Sequence, residues 1–369
     1  MSSFTLIVKP VGDSCLFSCS YCYNSDPSLS DRIPSGKMSL GTLDILLSKY
    51  LKHPQKYYTV LWHGGEPLLA GLDFYEEALR LQRFYRKAYS VEAPVRNRLQ
   101  TNAALVNERW ATFFKENKFR LGISLDGPAI VHDAHRRFKD GKGTHSAVMA
   151  GIKTLLDAGN TFGIGAVITR TSLVNPTQLF NFFKERFSIF DFSPCFLSPT
   201  EEDPEGALGV SPLEYAEFAI NLFDYWWEID DPSIRIRSFR HYVQVGLGET
   251  PRICSMASGC SRYMAVDWDG KVYPCGRNAS VESLYLGSIL EKDFETVRTD
   301  DPYRAYLNVA LSLSEDCKKC SWLFACNNGC PASRYIGHGR FVAKTPLCEA
   351  RKIIFANVSE KVALLQQAL

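Results

Sequence analysis

The chain has 369 residues, 46% of them apolar, and a formal net charge of +2, the make-up of an ordinary folded protein with a sizeable core. So even a balance gives no footing for nucleic acid or a membrane surface as partner, and no uncharged apolar run reaches the roughly 18–20 residues of a spanning helix. The opening MSSFTLIVKP lacks a signal-peptide pattern, so a cytoplasmic location is expected.

The run Thr5 to Val8 predicts a first strand, and shortly after it comes Cys15-LFS-Cys19-SY-Cys22, a CxxxCxxC triplet. Three is the informative count. A 4Fe-4S cube takes four thiolates, so three protein ligands leave one iron open for something else to bind. A zinc site or buried thiols are the plain alternatives.

Further strands are predicted at Tyr58 to Trp62, Arg98 to Thr101, Leu121 to Ser124, Phe162 to Ile168 and Phe190 to Phe196. Helical spacing fills the gaps at Leu40 to Leu51, Leu72 to Tyr89, Asn107 to Asn117, Ser146 to Ala158 and Pro176 to Arg186. Six βα units imply parallel strands with helices packed outside, too few to close an eight-stranded barrel, so the fold expected is a partial (β/α)6 barrel. A polar connector, Ser198 to Gly206, leads to an aromatic helix around Tyr215 to Trp227, whose Tyr215, Tyr225, Trp226 and Trp227 read as packing.

From Ile253 the pattern turns irregular, with short strands at Tyr263 to Val266 and Lys271 to Tyr273 around the turn Asp269-Gly270, then cysteine-punctuated loops and a terminal amphipathic helix, Glu349 to Leu365. Little apolar periodicity is visible there, so bound metal is expected to supply much of the stability. A division into residues 1–235, the barrel, and 236–369, an iron–sulfur domain with the terminal helix, follows.

Of the twelve cysteines, three stand in the triplet, eight lie between Cys254 and Cys348, and Cys195 is alone. Ligand-like spacing in a long chain favours metal over disulfides. Cys317-KK-Cys320-SWLFA-Cys326-NNG-Cys330, with Cys254, Cys260, Cys275 and Cys348, makes two full sets of four; a zinc ribbon is the alternative. Active sites on parallel βα folds gather at the carboxyl ends of strands, where the triplet sits.

With Tyr21 before its last cysteine, the triplet resembles the signature of radical S-adenosylmethionine enzymes, in which the methionine amine and carboxylate chelate the open iron and an electron cleaves the sulfonium to a 5′-deoxyadenosyl radical. Gly64-Gly65-Glu66-Pro67, a plain turn when read alone, resembles that family's GGEP motif. There exposed backbone and the carboxylate receive the cofactor amine. Ser124-Leu125-Asp126-Gly127-Pro128 resembles the segment whose serine holds the ribose, with Asp126 reading as a strand-to-loop cap. Arg136 falls where related enzymes place an arginine near the cofactor carboxylate, Phe196 where a strand end lies against adenine. Gln100-Thr101-Asn102 resembles LQTNG, with Ala103 in place of the glycine.

The C-terminal cysteines resemble a SPASM domain. That resemblance implies one auxiliary 4Fe-4S cluster on Cys254, Cys260, Cys275 and Cys330, and another on Cys317, Cys320, Cys326 and Cys348, three clusters in all with S-adenosylmethionine. Saturated clusters suit electron passage, and the implied reaction is a net oxidation of substrate.

Over nearly the whole chain the sequence is similar to anaerobic sulfatase-maturating enzymes, which oxidise a cysteine or serine to formylglycine using an aspartate after the third auxiliary cysteine as base. Here that position is Gly276, which cannot accept a proton. The expectation therefore ranks a maturase of ribosomally made peptides first, forming a crosslink, thioether or backbone alteration, and sulfatase maturation second. His63, His132 and Glu66 are candidate substitutes for the missing base; a lone histidine is more often structural. Cys195 is either a hydrogen donor to a substrate radical or a small buried residue. Partners expected are a peptide or protein substrate, a reductant such as flavodoxin or ferredoxin and, with no recognition domain fitting before Thr5, a separate leader-peptide recognition protein. A non-catalytic electron carrier or zinc scaffold is the remaining class.

Overall fold

A computed structural model describes residues 3–25, 35–195, 208–256, 259–338, 341 and 344–368. In chain order the elements are β1 Thr5–Val8, α1 Leu40–Lys52, β2 Tyr58–Trp62, α2 Leu72–Ala88, β3 Val95–Thr101, α3 Glu108–Glu116, β4 Arg120–Ser124, α4 Ala129–His135, α5 His145–Asp157, β5 Phe162–Ile168, α6 Pro176–Lys184, β6 Ile189–Pro194, α7 Pro212–Ile229, β7 Arg235–Ile236 and α8 Arg237–Gly246. Then follow β8 Tyr263–Val266, β9 Lys271–Tyr273, β10 Gly287–Ser288, α9 Phe294–Thr299, α10 Asp301–Ala310, α11 Glu315–Lys318, α12 Leu323–Cys326, α13 Pro331–His338 and α14 Cys348–Ala368.

Strands β1 to β7 pair in sequence order and all in parallel. Right-handed crossovers between successive neighbours place every connecting helix on one face, so the sheet curls into an open barrel. Leu99, Leu121, Ile123, Ile164, Ile168, Phe190 and Phe192 face the helices and are buried with Trp110, Phe114, Val148, Leu155, Phe180 and Phe183. The alternate residues, among them Gln100, Gly122, Ser124, Gly165 and Asp191, lie on the concave face.

Local signals set the elements. Ser39 accepts from the Thr42 amide at the start of α1, and Leu43, Leu46, Leu47 and Tyr50 carry its buried stripe. Helix α7 begins at Pro212, three residues before the Tyr215 start expected, because Ser211 and Glu214 form a capping box with proline at the first turn. The sixth strand, expected to run to Phe196, ends at Pro194; Phe196 and the whole connector Ser198 to Gly206 lie outside the described residues.

The C-terminal part extends the same sheet. Strand β8 pairs in parallel with β1, and β9 and β10 add antiparallel strands beyond it. Met264, Val266, Val272, Leu286, Ile289, Phe294 and Val297 belong to the core that holds Leu6 and Val8. This corrects the expectation of a region short of apolar material: its hydrophobic residues are spaced too irregularly to show a period, yet they fill the flank of the barrel. Helix α14 closes against α7 and α8, with Val362 on Gly246. Among the described residues no helix is long and apolar enough to cross a membrane.

Candidate active site

The triplet loop leaves the carboxyl end of β1 and is fastened from two sides. The Gly65 amide donates to the Gly12 carbonyl at 2.9 Å and the Glu66 amide to that of Ser14 at 2.8 Å. A Cβ on Gly65 would overlap the carbonyl oxygens of Ser14 and Asp13, so glycine is a steric requirement of this contact. From the other side, the Ser18 amide donates to Arg137 (2.8 Å), the Ser20 amide to His135 (3.0 Å), and Phe17 bridges to Phe138.

The charged partners cluster here too. Arg136 Nε donates to Asp126 Oδ2 at 3.0 Å, its guanidinium carbon lies 5.4 Å from the Tyr21 ring centroid, and Nη1 is 3.9 Å from Cys19 Sγ. Tyr21 donates its hydroxyl to the same Asp126 carboxylate, whose other oxygen accepts from the Val167 amide. Sequence reasoning treated Asp126 as a cap; it also joins Tyr21 to Arg136. Ser124 accepts from Gln100 Nε2 at 3.0 Å on the concave face.

Glu66 is fully buried and its carboxylate is already engaged, accepting from the Leu68 amide (3.0 Å), the Thr101 hydroxyl (2.8 Å) and the Asn102 amide (2.8 Å). Burial still lifts its pKa to about 7 against these three bonds. Its side chain thus knits β2 to the end of β3, and Asn102 beyond reaches Cys15 Sγ at 3.7 Å.

The alternative bases fare differently. His132 is wholly buried, Nδ1 accepting from the Asp126 amide at 3.2 Å and Nε2 bonded to Thr144 at 3.0 Å, a structural histidine. His63 Nδ1 accepts from the Gly64 amide at 2.8 Å, leaving its hydrogen on Nε2. Burial, then the charge of Lys9, lowers its pKa to about 4. It is therefore a neutral donor at the top of β2, suited to holding an anionic or carbonyl oxygen. Cys195 is buried, its amide donating to Ile168 at 2.8 Å, and falls on the concave face by strand parity.

All twelve cysteines are free of disulfides. Cys254 and Cys275 each lie within electrostatic reach of Cys260 and Cys330, and Cys260 of Cys330. Cys348 lies within electrostatic reach of Cys317 and Cys326, and Lys352 of both Cys320 and Cys348. A cavity of ≈350 Å³ is lined by Cys317, Cys320, Cys326 and Cys348. Chain order alone does not reveal these neighbourhoods.

The donor chemistry fits iron–sulfur cubes. A cube takes its thiolates at separate corners, and Cys317, Cys320, Cys326 and Cys348 line one cavity from four separate positions. Burial pushes Cys19, Cys254 and Cys275 up to about 12 and Cys260 up to about 11, so bare thiolates are costly and positively charged iron would offset that cost.

Two arginines missed by sequence reasoning join the sets. Arg277 lies over the Tyr23 ring, with its guanidinium carbon 5.6 Å from the centroid, and donates to Ser333 at 2.8 Å. Arg334, 1% exposed, lies within electrostatic reach of Cys260, Cys330 and Cys317. Their adjacency to cysteines in sequence, Arg277 two after Cys275 and Arg334 four after Cys330, was the available signal.

A model of the Radical SAM superfamily matches residues 10–172, and one of an iron-sulfur cluster-binding domain, SPASM, matches residues 254–321. A cysteine-type anaerobic sulfatase-maturating enzyme of Clostridium novyi is 30% identical over 374 residues, covering 100% of this chain and 99% of the relative. A serine-type counterpart from Bacteroides thetaiotaomicron is 33% identical over 350 residues, covering 89% and 83%. The solved structure "Native anSMEcpe with bound AdoMet and Cp18Cys peptide" matches with TM-score 0.87 and 28% identity, covering 99% of both chains.

Proposed function

We propose a reaction for this chain on the premise its relatives supply: it belongs to the anaerobic sulfatase-maturating enzyme family of the radical S-adenosylmethionine superfamily. It is a radical enzyme of the SPASM type, acting on a residue of a peptide or protein. The finer reading is that it withdraws two electrons from one cysteine or serine of a polypeptide to leave formylglycine. What supports it is the triplet Cys15, Cys19 and Cys22 at the carboxyl end of β1, together with sulfatase-maturating relatives matched over nearly the whole chain. The sequence ranked ribosomal-peptide maturation ahead of sulfatase maturation; the full-length relatives reverse that order.

In this reading Cys15, Cys19 and Cys22 hold a 4Fe-4S cluster that, when bound, supplies the electron for cleaving S-adenosylmethionine to a 5′-deoxyadenosyl radical. Arg136, fixed by Asp126 and stacked on Tyr21, places a positive charge for the cofactor carboxylate. Carbonyls of the Gly64-Gly65 turn receive the ammonium, Glu66 holding that turn from behind, and Ser124 receives a ribose hydroxyl. Phe196 is assigned to adenine from the resemblance. His63 donates through Nε2 to the substrate, while Tyr23, Arg277 and Arg334 line the way from substrate to Cys254, Cys260, Cys275 and Cys330 and on to Cys317, Cys320, Cys326 and Cys348. The barrel part is assigned to residues 1–235 and the cluster part to 236–369, with an external flavodoxin or ferredoxin as reductant.

Gly276 favours a second reading. Without a carboxylate at that position, a neighbouring group of the substrate captures the oxidised residue and closes a crosslink. Anaerobically reconstituted protein given S-adenosylmethionine, dithionite and a sulfatase peptide decides between them. Formylglycine by mass spectrometry supports the first reading, a crosslinked product the second, and absence of 5′-deoxyadenosine overturns both.

A further inference from the structure

The concave face of the barrel carries a cluster of arginines that the radical chemistry does not use. Arg98 of β3 and Arg120 of β4 are direct cross-strand partners, an arrangement of like charges that costs stability unless something offsets it. Arg96 lies two residues below Arg98 on the same face, and Arg237 reaches toward them from the far edge of the curl, so that Arg98 feels the charges of Arg120, Arg96 and Arg237 together. One carboxylate stands near: Asp191, which accepts from Arg237 Nε at 3.0 Å. Arg96, Arg98 and Arg120 have no carboxylate partner among the described residues and are exposed.

Between these arginines and the triplet loop the concave face is floored by glycine. Gly122 pairs with Gly163, and Ser124 with Gly165; a side chain at Gly165 would meet nothing within 4 Å, whereas the Gln100 amide lies over Gly122, 2.2 Å from where a Cβ would stand. The concave face is therefore a groove that is clear at Gly165 and narrowed beside it by Gln100, between the cysteine end of the strands and the arginine end. At about 3.3 Å per residue, Arg98 and Arg120 lie roughly 10–13 Å below the strand ends, a span that an extended peptide crosses in about three or four residues.

We infer that this groove seats the substrate polypeptide in extended form, with Arg98, Arg120 and Arg96 receiving an acidic side chain about three or four residues from the residue modified at the cysteine end. The inference rests on the reading that the substrate is a polypeptide, and it narrows that substrate to acidic segments. Arginine suits this role because its planar fork takes a carboxylate through two parallel bonds.

The test compares a labelled cysteine peptide carrying aspartate about three or four residues to either side of the cysteine with the same peptide carrying asparagine. The intact protein should bind the aspartate peptide about tenfold more tightly at low ionic strength, and the preference should fade in about 1 M salt. In Arg98→Glu/Arg120→Glu the preference should turn to a lysine peptide; should that variant bind no peptide, Arg98→Gln must bring the aspartate-to-asparagine affinity ratio close to one. Equal binding by the intact protein, a preference unchanged in both variants, or stronger competition by a single-stranded oligonucleotide of equal charge overturns the inference. Formation of 5′-deoxyadenosine is measured separately. Its absence overturns the radical reaction and leaves the peptide preference standing; its presence without the preference overturns this inference alone.

Discussion

The guanidinium of Arg277 lies over the ring of Tyr23, 5.6 Å from its centroid, and the pair stands between Cys22 of the triplet and Cys275 of the first auxiliary set. Tyr23 follows the triplet directly and Arg277 follows Cys275 by two residues, so one stacking contact ties the two cysteine regions across the fold. Arg277 is exposed and Tyr23 half-buried, and a cation–π pair so placed contributes about 0.5–1 kcal/mol. If it fixes the approach of the two sites, Arg277→Gln should continue to release 5′-deoxyadenosine while oxidised peptide falls about two- to fivefold, the rate equivalent of that energy. Chromatography of the nucleoside beside mass spectrometry of the peptide reads the two yields in one reaction.

Gly65 is the tightest point of the triplet's support, because any side chain there meets the Ser14 carbonyl. Gly65→Ala must push the loop away from β2, and the barrel core beneath it does not depend on that contact. The expected result is a folded protein by circular dichroism that carries about four fewer irons per chain after reconstitution. Iron analysis alongside thermal melting checks it.

How far the sequence foretold this depended on the kind of interaction. Strands such as β1, β2 and β5 were readable to the residue because buried parallel strands are unbroken apolar runs between turn signals. The two-residue strand β7 and the four-residue helices α11 and α12 were not, since so few residues show no period. In the site, spacing gave the cysteines at once. Tertiary partners gave no such signal: Glu66 reads as a cofactor ligand in GGEP, yet the fold turns its carboxylate to Leu68, Thr101 and Asn102. Arg98 and Arg120 look like separate surface arginines until register makes them neighbours.

Ala103, where the related motif has glycine, sits at φ 62°. The turn survives because Thr101 Oγ1 accepts from the Ala103 amide at 2.9 Å and Asn102 Oδ1 from that of Ala104 at 3.1 Å. A left-handed alanine costs about 1 kcal/mol relative to glycine. Ala103→Gly should therefore raise stability by up to about 1 kcal/mol in denaturant titration, with no change in iron content.

His132 sets a pH dependence. Burial, only partly countered by Asp126, lowers its pKa to about 4, against about 6.5 in an unfolded chain. Between those values the unfolded chain takes up a proton that the folded chain refuses, so stability from this group is lost as pH falls from about 6.5 to about 4, in total about 3 kcal/mol. Glu66 acts oppositely: its pKa is raised to about 7, and its contribution is lost as pH rises through that value. His132→Gln removes the first effect alone. The gap in unfolding free energy between wild type and variant should narrow by about 3 kcal/mol from pH 7 to pH 4, read by denaturant titration at each pH.

Gly276 separates the two reactions most sharply. A Cβ built there lies 3.2 Å from Ile7 Cγ2 and 3.5 Å from Cδ1, a tight fit against a branched side chain that is stiff at χ1, so Gly276→Asp requires Ile7 to give by a few tenths of an ångström. The new carboxylate would stand over β1, beside β2 and two residues along that strand from His63 by the pairing of Ile7 with Leu61. A positioned general base is worth roughly 10²–10⁴-fold in rate. If the native product is a crosslink, Gly276→Asp should divert a cysteine peptide to formylglycine, with the aldehyde rising by at least the lower of those factors. If the native product is already formylglycine, another group removes the proton, and the substitution should change the aldehyde yield by less than about tenfold while His63→Leu suppresses it. Aldehyde trapping with a hydrazide before mass spectrometry measures both variants on one scale.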